Sequence, residues 1–172
     1  MPIFTPVTQT EFVAAIHLLA AQLVEDIDWT PDFIIGIGRG GLVPAVFLSH
    51  ATGLPTLSVD YSSQVKDFAH EPLIKLARRT VAGERLLFLD DINDSGRTIT
   101  RLRRALAEAG AVDGAVRFAM LIDNASSAER IDYSARTIDR ATTKDWFVFP
   151  WEAVAPAAAI AGDAAAVPER IA

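Results

Sequence analysis

Apolar side chains recur along the first part of the chain with two different spacings. From Phe12 onward they return every three or four residues, which is the period of a helix with one buried face. Thr8 and Glu11 precede this run in the order of a capping box, so the pattern predicts a helix that begins after Thr8 and ends near Asp26. Residues 33–37 form a short, continuous apolar run instead, and this pattern is typical of a buried strand.

The alternation of strand and helix patterns continues along the chain. Residues 60–83 are polar and show no clean period, and we interpret them as a flexible excursion. The alanine-rich residues 153–172 are predicted to form a peripheral helix or a loose tail. The other predicted elements are a glycine-rich turn at 38–41, helices over 42–50 and 98–109, and strands over 55–59, 85–89, 114–122, 136–138 and 146–149.

Apolar strands that alternate with helices indicate a fold class. Such strands are covered on both faces, as in α/β proteins with a mainly parallel sheet flanked by helices. At about 100–200 residues per domain, residues 1–172 are expected to form a single domain with its core over about 8–152. Ligands of such sheets bind at the carboxyl ends of the strands. Two of the predicted strand ends carry the two most unusual loops of this sequence.

Composition narrows the classes of function. The chain has 172 residues, 51% of them hydrophobic, and 16 basic against 22 acidic side chains give a net charge of −6. This acidic balance argues against nonspecific nucleic-acid binding, which needs a basic surface. The chain has no cysteine, which excludes a disulfide scaffold, a thiolate zinc site and a cysteine nucleophile. Neither a signal peptide nor a long apolar span is visible, so we expect a cytoplasmic protein that does not enter a membrane.

The first unusual loop, GIGRGG at 36–41, closes the predicted strand at 33–37. Its glycines satisfy the G-x-G-x-x-G pattern of dinucleotide-binding proteins, and Asp60 lies where a ribose-binding acid would stand. The pattern is short, and a tight turn between strand and helix also explains it. Glycines let backbone N–H groups approach an anion, and Arg39 adds a positive fork that suits phosphate oxygens. The loop therefore predicts an anion site, with a dinucleotide site or a plain turn as alternatives.

The second unusual loop follows the apolar strand at 85–89. Asp90 and Asp91 are adjacent carboxylates that can accept hydrogen bonds from a vicinal diol or bind a divalent cation. Asp94 adds a third carboxylate, which a plain acidic turn explains poorly because like charges repel. The segment SGRT at 95–98 then opens a helix, where hydroxyls and backbone amides can surround a phosphate.

Three segments of the chain resemble one known family. LFLDDINDSGRT at 87–98 looks like the signature of type I phosphoribosyltransferases, which bind 5-phosphoribosyl-1-pyrophosphate (PRPP). IGRGGLVP at 37–44 is similar to the pyrophosphate loop of the xanthine-guanine and related 6-oxopurine members, and DWFVFPWE at 145–152 to their purine-binding segment. The resemblance implies the type I phosphoribosyltransferase fold with a small hood. It also implies a PRPP-dependent nucleobase phosphoribosyltransferase of the purine salvage type that uses Mg2+.

The resemblance implies a role for each matching residue. Asp90 and Asp91 would hold the ribose hydroxyls, and Asp94 would lie near N7 of the purine, where it could manage a proton. Trp146 would stack on the base, and the Phe147 backbone would read the base edge. The residues implied to bind phosphate or metal are Arg39, Gly40 and Gly41 for the pyrophosphate, Asp94, Ser95, Gly96, Arg97 and Thr98 for the 5′-phosphate, and Asp90, Asp91 and Glu152 for magnesium.

One position departs from the family pattern. The 6-oxopurine enzymes usually carry a lysine after the fourth strand that donates to the purine 6-oxygen, and Asp123 stands there in this sequence. A carboxylate accepts rather than donates. Asp123 therefore predicts weak use of guanine, xanthine and hypoxanthine and better use of a base with an exocyclic amine. Arg130 and Lys144 are the alternative side chains that could reach this position.

The remaining expectations concern the hood, the partners and the competing functions. By resemblance, 60–83 would be the hood and mobile loop that closes over the site, with Tyr61, Ser62 and Ser63 as contacts. The family is usually dimeric or tetrameric, so a homodimer or homotetramer is expected. The alternatives to an enzyme acting on PRPP and a nucleobase are a PRPP-binding regulator without catalysis and an NAD-binding protein built on 36–41.

Overall fold

The computed structural model describes residues 3–60 and 70–166. Strands and helices alternate up to residue 124 as the hydrophobic pattern predicts, and two further strands then follow without a helix between them. The strands are β1 (Ile3–Pro6), β2 (Phe33–Ile37), β3 (Thr56–Val59), β4 (Leu86–Asn93), β5 (Val116–Asn124), β6 (Tyr133–Ile138) and β7 (Asp145–Val148). The helices are α1 (Gln9–Glu25), α2 (Gly38–Thr52), α3 (His70–Val81), α4 (Arg97–Glu108) and α5 (Ala157–Ala165), with a short 3-10 turn at Pro150–Glu152 before α5.

Five of the strands form one parallel sheet in the order β3-β2-β4-β5-β6. β1 and β7 pair separately, also in parallel, with Ile3 opposite Asp145. The predicted fold class, a mainly parallel sheet flanked by helices, is confirmed. The hydrophobic pattern does not reveal β1, because this strand has four residues, three of them exposed, and is too short to show a period.

Helices cover both faces of the five-stranded sheet, which explains why its strands are almost unbroken apolar runs. α1 begins with the predicted capping box: the Thr8 hydroxyl accepts from the Glu11 amide at 3.2 Å, and the Glu11 carboxylate accepts from the Thr8 amide at 2.7 Å. Beneath α1 and α2 the core includes Phe12, Leu19, Leu48, Leu87 and Leu89. Beneath α3 and α4 it includes Leu73, Leu76, Phe88, Ile99 and Leu102.

The prediction of a flexible excursion over 60–83 is wrong for α3. Leu73, Leu76, Ala77 and Thr80 are all buried, and their spacing of three, one and three residues places them on one helix face. The intervening charged residues conceal this period when the segment is judged by its mean polarity. Residues 61–69, which include the three predicted hood contacts, lie outside the described residues.

Three further elements can be compared with the prediction from the sequence: α2, β4 and α5. α2 begins at Gly38, so the predicted glycine-rich turn is its first helical turn. β4 continues to Asn93, beyond the apolar run, because pairing with β5 extends to Asn93 opposite Asp123. α5 corresponds to the helical alternative for the alanine-rich tail. Over the described ranges, none of the helices combines the length and apolar character needed to cross a membrane.

An ion-pair cluster ties the end of α1 to β5 and β6. The Asp26 carboxylate accepts hydrogen bonds from the Tyr133 hydroxyl at 2.7 Å and from the Arg117 guanidinium, which also lies 4.7 Å from the centre of the Trp29 ring. The Tyr133 hydroxyl, followed by Arg117, lowers the pKa of the Asp26 carboxyl below its ordinary value. Burial raises the pKa of Tyr133 to about 12.

Replacing Tyr133 with Phe should make the free energy of unfolding less dependent on pH between pH 7 and pH 3. A carboxyl whose folded pKa is lowered contributes stability above its unfolded pKa of about 3.9, and this contribution is lost as the pH falls through the folded value. Without the Tyr133 hydroxyl the pKa of Asp26 should return towards its ordinary value. Urea unfolding should therefore show a larger gap between wild type and Tyr133→Phe at pH 7 than at pH 3. An equal gap at both pH values would contradict this linkage.

Candidate functional site

The glycine-rich first turn of α2 packs directly against the carboxyl end of β4. β2 and β4 are neighbours in the sheet, so the turn that follows β2 lies beside the residues that end β4. A Cβ atom on Gly40 would lie 2.6 Å from Asp91 Oδ2 and 2.7 Å from Asp90 Oδ1. On Gly41 it would lie 2.1 Å from the Leu89 carbonyl oxygen. Only glycine permits this approach, and the two unusual loops of the sequence therefore meet.

The two adjacent carboxylates both present an oxygen to Gly40. Both aspartates are partly buried, and Asp90 Oδ1 also accepts from the Asp91 amide at 3.0 Å. Oxygen donors suit Mg2+, which proteins often hold through one or two carboxylates together with substrate phosphates. Within 3–60 and 70–166 no three acidic or histidine side chains are grouped closely enough to hold a metal. Asp90 and Asp91 are thus a pair of oxygen donors that would need further oxygens from a ligand to complete the coordination of an ion, and Glu152 is not grouped with them closely enough to supply a third.

The turn after β4 leads into the N-terminus of α4. Gly96 has a φ of +83°, and a Cβ there would lie 2.8 Å from the Glu129 amide nitrogen, so this position requires glycine on two counts. The Ser95 hydroxyl accepts from Arg97 Nε at 3.2 Å. The helix begins at Arg97, and its first backbone amides carry the positive end of the helix dipole, which favours an anion.

A cavity of about 120 Å³ opens between this loop and β7. Five predicted residues line it, together with Ile92, Phe149 and Arg140: they are Asp91, Asp94, Trp146, Phe147 and Glu152. A larger cavity, about 590 Å³ between α2, β3 and α3, is lined by none of the predicted site residues. The smaller cavity is therefore the candidate site, because it combines aromatic walls with charged groups.

Glu152 lines this cavity from the 3-10 turn that follows β7. Its carboxylate is half-buried and accepts from the Phe149 amide at 2.8 Å. Burial raises the pKa of Glu152; the hydrogen bond from the Phe149 amide offsets part of this effect, and the charges of Asp163 and Arg39 have smaller effects of opposite sign.

Sequence reasoning missed Arg140, the main cation of the cavity. It lies between β6 and β7 and forms a bidentate ion pair with Asp94, from Nε to Oδ1 at 3.0 Å and from Nη2 to Oδ2 at 3.2 Å. Asp94 is 6% exposed and the Arg140 side chain 10%. No motif marks Arg140, since the pairing joins residues 46 positions apart; a surplus of arginine over lysine was the only signal. Arg130 and Lys144 are not among the residues lining this cavity.

Asp123, predicted to contact the base, does not line the cavity. Its carboxylate accepts from Asn93 Nδ2 at 2.7 Å, and Asn93 also contacts Ser127 in the segment that follows β5. Successive side chains of a strand point to opposite faces. The next residue, Asn124, accordingly contacts the cavity residues: it donates to the Asp94 carbonyl oxygen at 2.8 Å and accepts from the Arg140 amide at 3.1 Å.

A family model and two relatives of known name assign the chain to the same family. The family model described as "Phosphoribosyl transferase domain" matches residues 7–156. The chain is 30% identical over 125 residues to the xanthine-guanine phosphoribosyltransferase of Idiomarina loihiensis, covering 69% of this chain and 70% of the relative. It is 31% identical over 125 residues to the enzyme of that name from Gluconobacter oxydans, covering 69% and 67%.

Solved structures agree with this comparison. The crystal structure of a purine phosphoribosyltransferase from Pyrococcus horikoshii matches with a TM-score of 0.59 and 28% identity, over 86% of this chain and 92% of that one. A protein from Neisseria gonorrhoeae with bound ppGpp has a TM-score of 0.68 at 22% identity, over 90% and 92% of the two chains, and shares the fold.

Proposed function

The chain belongs to the phosphoribosyltransferase family, and on this premise we propose that it transfers the 5-phosphoribosyl group of PRPP to a ring nitrogen of a purine base, with release of pyrophosphate. The observation that carries the proposal is the contact of Gly40 with Asp90 and Asp91. It supports a site where a glycine-rich anion loop meets a pair of carboxylates. An NAD site built on 36–41 alone would leave those carboxylates unexplained.

In the proposed reaction a base nitrogen attacks C1′ of the ribose while the bond from C1′ to the pyrophosphate oxygen breaks. Asp90 and Asp91 would accept hydrogen bonds from the two ribose hydroxyls and so fix C1′. The amides and hydroxyls of 95–98 would hold the 5′-phosphate at the N-terminus of α4. Backbone amides of the first turn of α2, with Arg39, would hold the pyrophosphate as negative charge develops on it. The chain would thus act mainly by positioning and by charge.

Mg2+ is the cofactor that this family generally uses with PRPP. Asp90 and Asp91 would hold the ion together with oxygens of the substrate, with Glu152 on the pyrophosphate side. When bound, the ion would neutralise charge on the leaving pyrophosphate. We also propose that the protein forms a homodimer or homotetramer, and the exposed apolar side chains of Leu42 and Val46 on α2 are compatible with such an interface.

For the base, we propose a purine with a 6-oxygen rather than an exocyclic amine. The position of Asp123, whose carboxylate is engaged by Asn93 and does not line the cavity, removes the reason to expect an amine. Two relatives named xanthine-guanine phosphoribosyltransferases support a 6-oxopurine, and the indole N–H of Trp146 on the cavity wall is a donor that suits a 6-oxygen. A polar site discriminates strongly against a base whose groups leave its donors unpaired.

A panel of free bases tests this proposal. Purified protein with PRPP and Mg2+ should release pyrophosphate with xanthine, guanine or hypoxanthine at a kcat/KM about tenfold or more above that for adenine. A preference for adenine would overturn the 6-oxopurine proposal and would support Asp123 as the residue that contacts the base. PRPP binding without pyrophosphate release on any base would instead support a regulatory protein without catalysis.

A further inference from the structure

Arg140 makes more polar contacts than an ion pair alone would require. Besides both oxygens of Asp94, its guanidinium binds two backbone carbonyls through Nη1, that of Thr143 at 3.2 Å and that of Asp145 at 2.6 Å. Its backbone amide donates to Asn124 Oδ1 at 3.1 Å. One residue thus connects the loop after β4, the end of β5 and the start of β7.

These connections define the width of the cavity. Asp94 lies on one side, and β7, which carries Trp146 and Phe147, provides the aromatic wall. The Arg140 guanidinium lies between them, 5.6 Å from the centre of the Phe147 ring. Only a planar group with several fixed N–H directions can bind a carboxylate bidentately and two carbonyls at once.

We propose that Arg140 is a positioning residue, which holds Asp94 at a fixed distance from the aromatic wall and so shapes the slot for the base. This inference rests on the proposed function, because it assigns the slot to a purine. A purely structural role explains the pair less well. Burying two charges costs desolvation energy that their attraction often fails to repay, so ion pairs at this depth are poor stabilisers.

Arg136 provides a matched control for Arg140. Its guanidinium lies 5.3 Å from the centre of the same Phe147 ring, but none of the described hydrogen bonds joins it to Asp94. The two arginines thus share an aromatic neighbour and differ in the contact that matters for the proposal. Replacing each by Lys and by Met separates the loss of a cation near Phe147 from the loss of the link to Asp94.

Steady-state kinetics with the base that wild type uses best, PRPP and Mg2+ provide the test. Arg140→Lys should raise KM for the base about tenfold or more and leave KM for PRPP within about twofold, because Lys keeps the charge but loses the bidentate geometry. Arg140→Met should raise KM for the base further. Both Arg136 variants should stay within about twofold of wild type for the two substrates.

Three other outcomes would overturn the proposed role of Arg140. If wild type releases no pyrophosphate on any base, the proposed function fails and this inference fails with it. If wild type is active but Arg140→Lys changes neither KM, or changes both equally, the positioning role alone is overturned. If thermal unfolding shows that neither Arg140 variant folds whereas both Arg136 variants do, Arg140 serves the fold and the proposal is again overturned.

Discussion

Replacing Asp90 and Asp91 together with asparagine should abolish pyrophosphate release, with a fall in kcat/KM of about 10³ or more. Asparagine is nearly isosteric with aspartate, but it removes both negative charges from the end of β4. It would therefore hold a vicinal diol less firmly and would no longer attract a divalent cation. The measurement is pyrophosphate release with PRPP, Mg2+ and the preferred base.

The exposed Asp113 offers a control for the loss of an acidic side chain. It lies just before β5, at the opposite end of the sheet from the candidate site. Asp113→Asn should leave kcat/KM within about twofold of wild type, because isolated surface substitutions have small effects. Retention of activity by the Asp90/Asp91 double variant, with this control also active, would remove these carboxylates from the reaction.

Replacing Gly41 with Ala should destabilise the protein by about 3 kcal/mol, at the upper end of the cost of overpacking a core. Gly41 is buried, and an added Cβ would lie 2.1 Å from the carbonyl oxygen of Leu89. This neighbour is backbone in the central strand β4, so it cannot rotate away as a side chain would. Either α2 or the end of β4 must shift. Urea unfolding measures the loss, and activity should fall with it.

Gly162 provides the matched control for the same chemical change. It lies within α5, and an added Cβ would meet no atom within 4 Å. Gly162→Ala should therefore be neutral or stabilise the protein by up to about 1 kcal/mol, because alanine favours the helix. If Gly41→Ala were as harmless as Gly162→Ala, the close approach of α2 to β4 would not exist in solution.

Local sequence determined most of the secondary structure. The capping box at Thr8 and Glu11 can be predicted because its partners lie three residues apart and act through the backbone. The apolar runs that become β2, β4 and β5 can be predicted because a strand covered on both faces has no polar side. The motif at 90–98 also indicates its chemistry locally, since a helix start binds anions wherever it occurs.

Prediction from the sequence failed for two elements, because the hydrophobic period of one is hidden and the other is too short to show a period. α3 has four buried residues at helical spacing, but charged residues between them dominate its mean polarity. β1 is stabilised by pairing with β7, a partner more than 130 residues away, and has no periodic signal of its own. In both cases the decisive interaction lies in the packing, not in the composition of the segment.

The sequence by itself determined the fold class, the family resemblance and the two unusual loops at 36–41 and 90–98. That these loops meet at Gly40 follows from the neighbouring positions of β2 and β4 in the sheet. Only the tertiary structure decided which side chains share the cavity. Strand alternation turns Asp123 towards Asn93 and the next residue, Asn124, towards Asp94. Arg140 reaches Asp94 across 46 residues, and such a pairing depends on how the loops after β4 and β6 fold back, which no local spacing encodes.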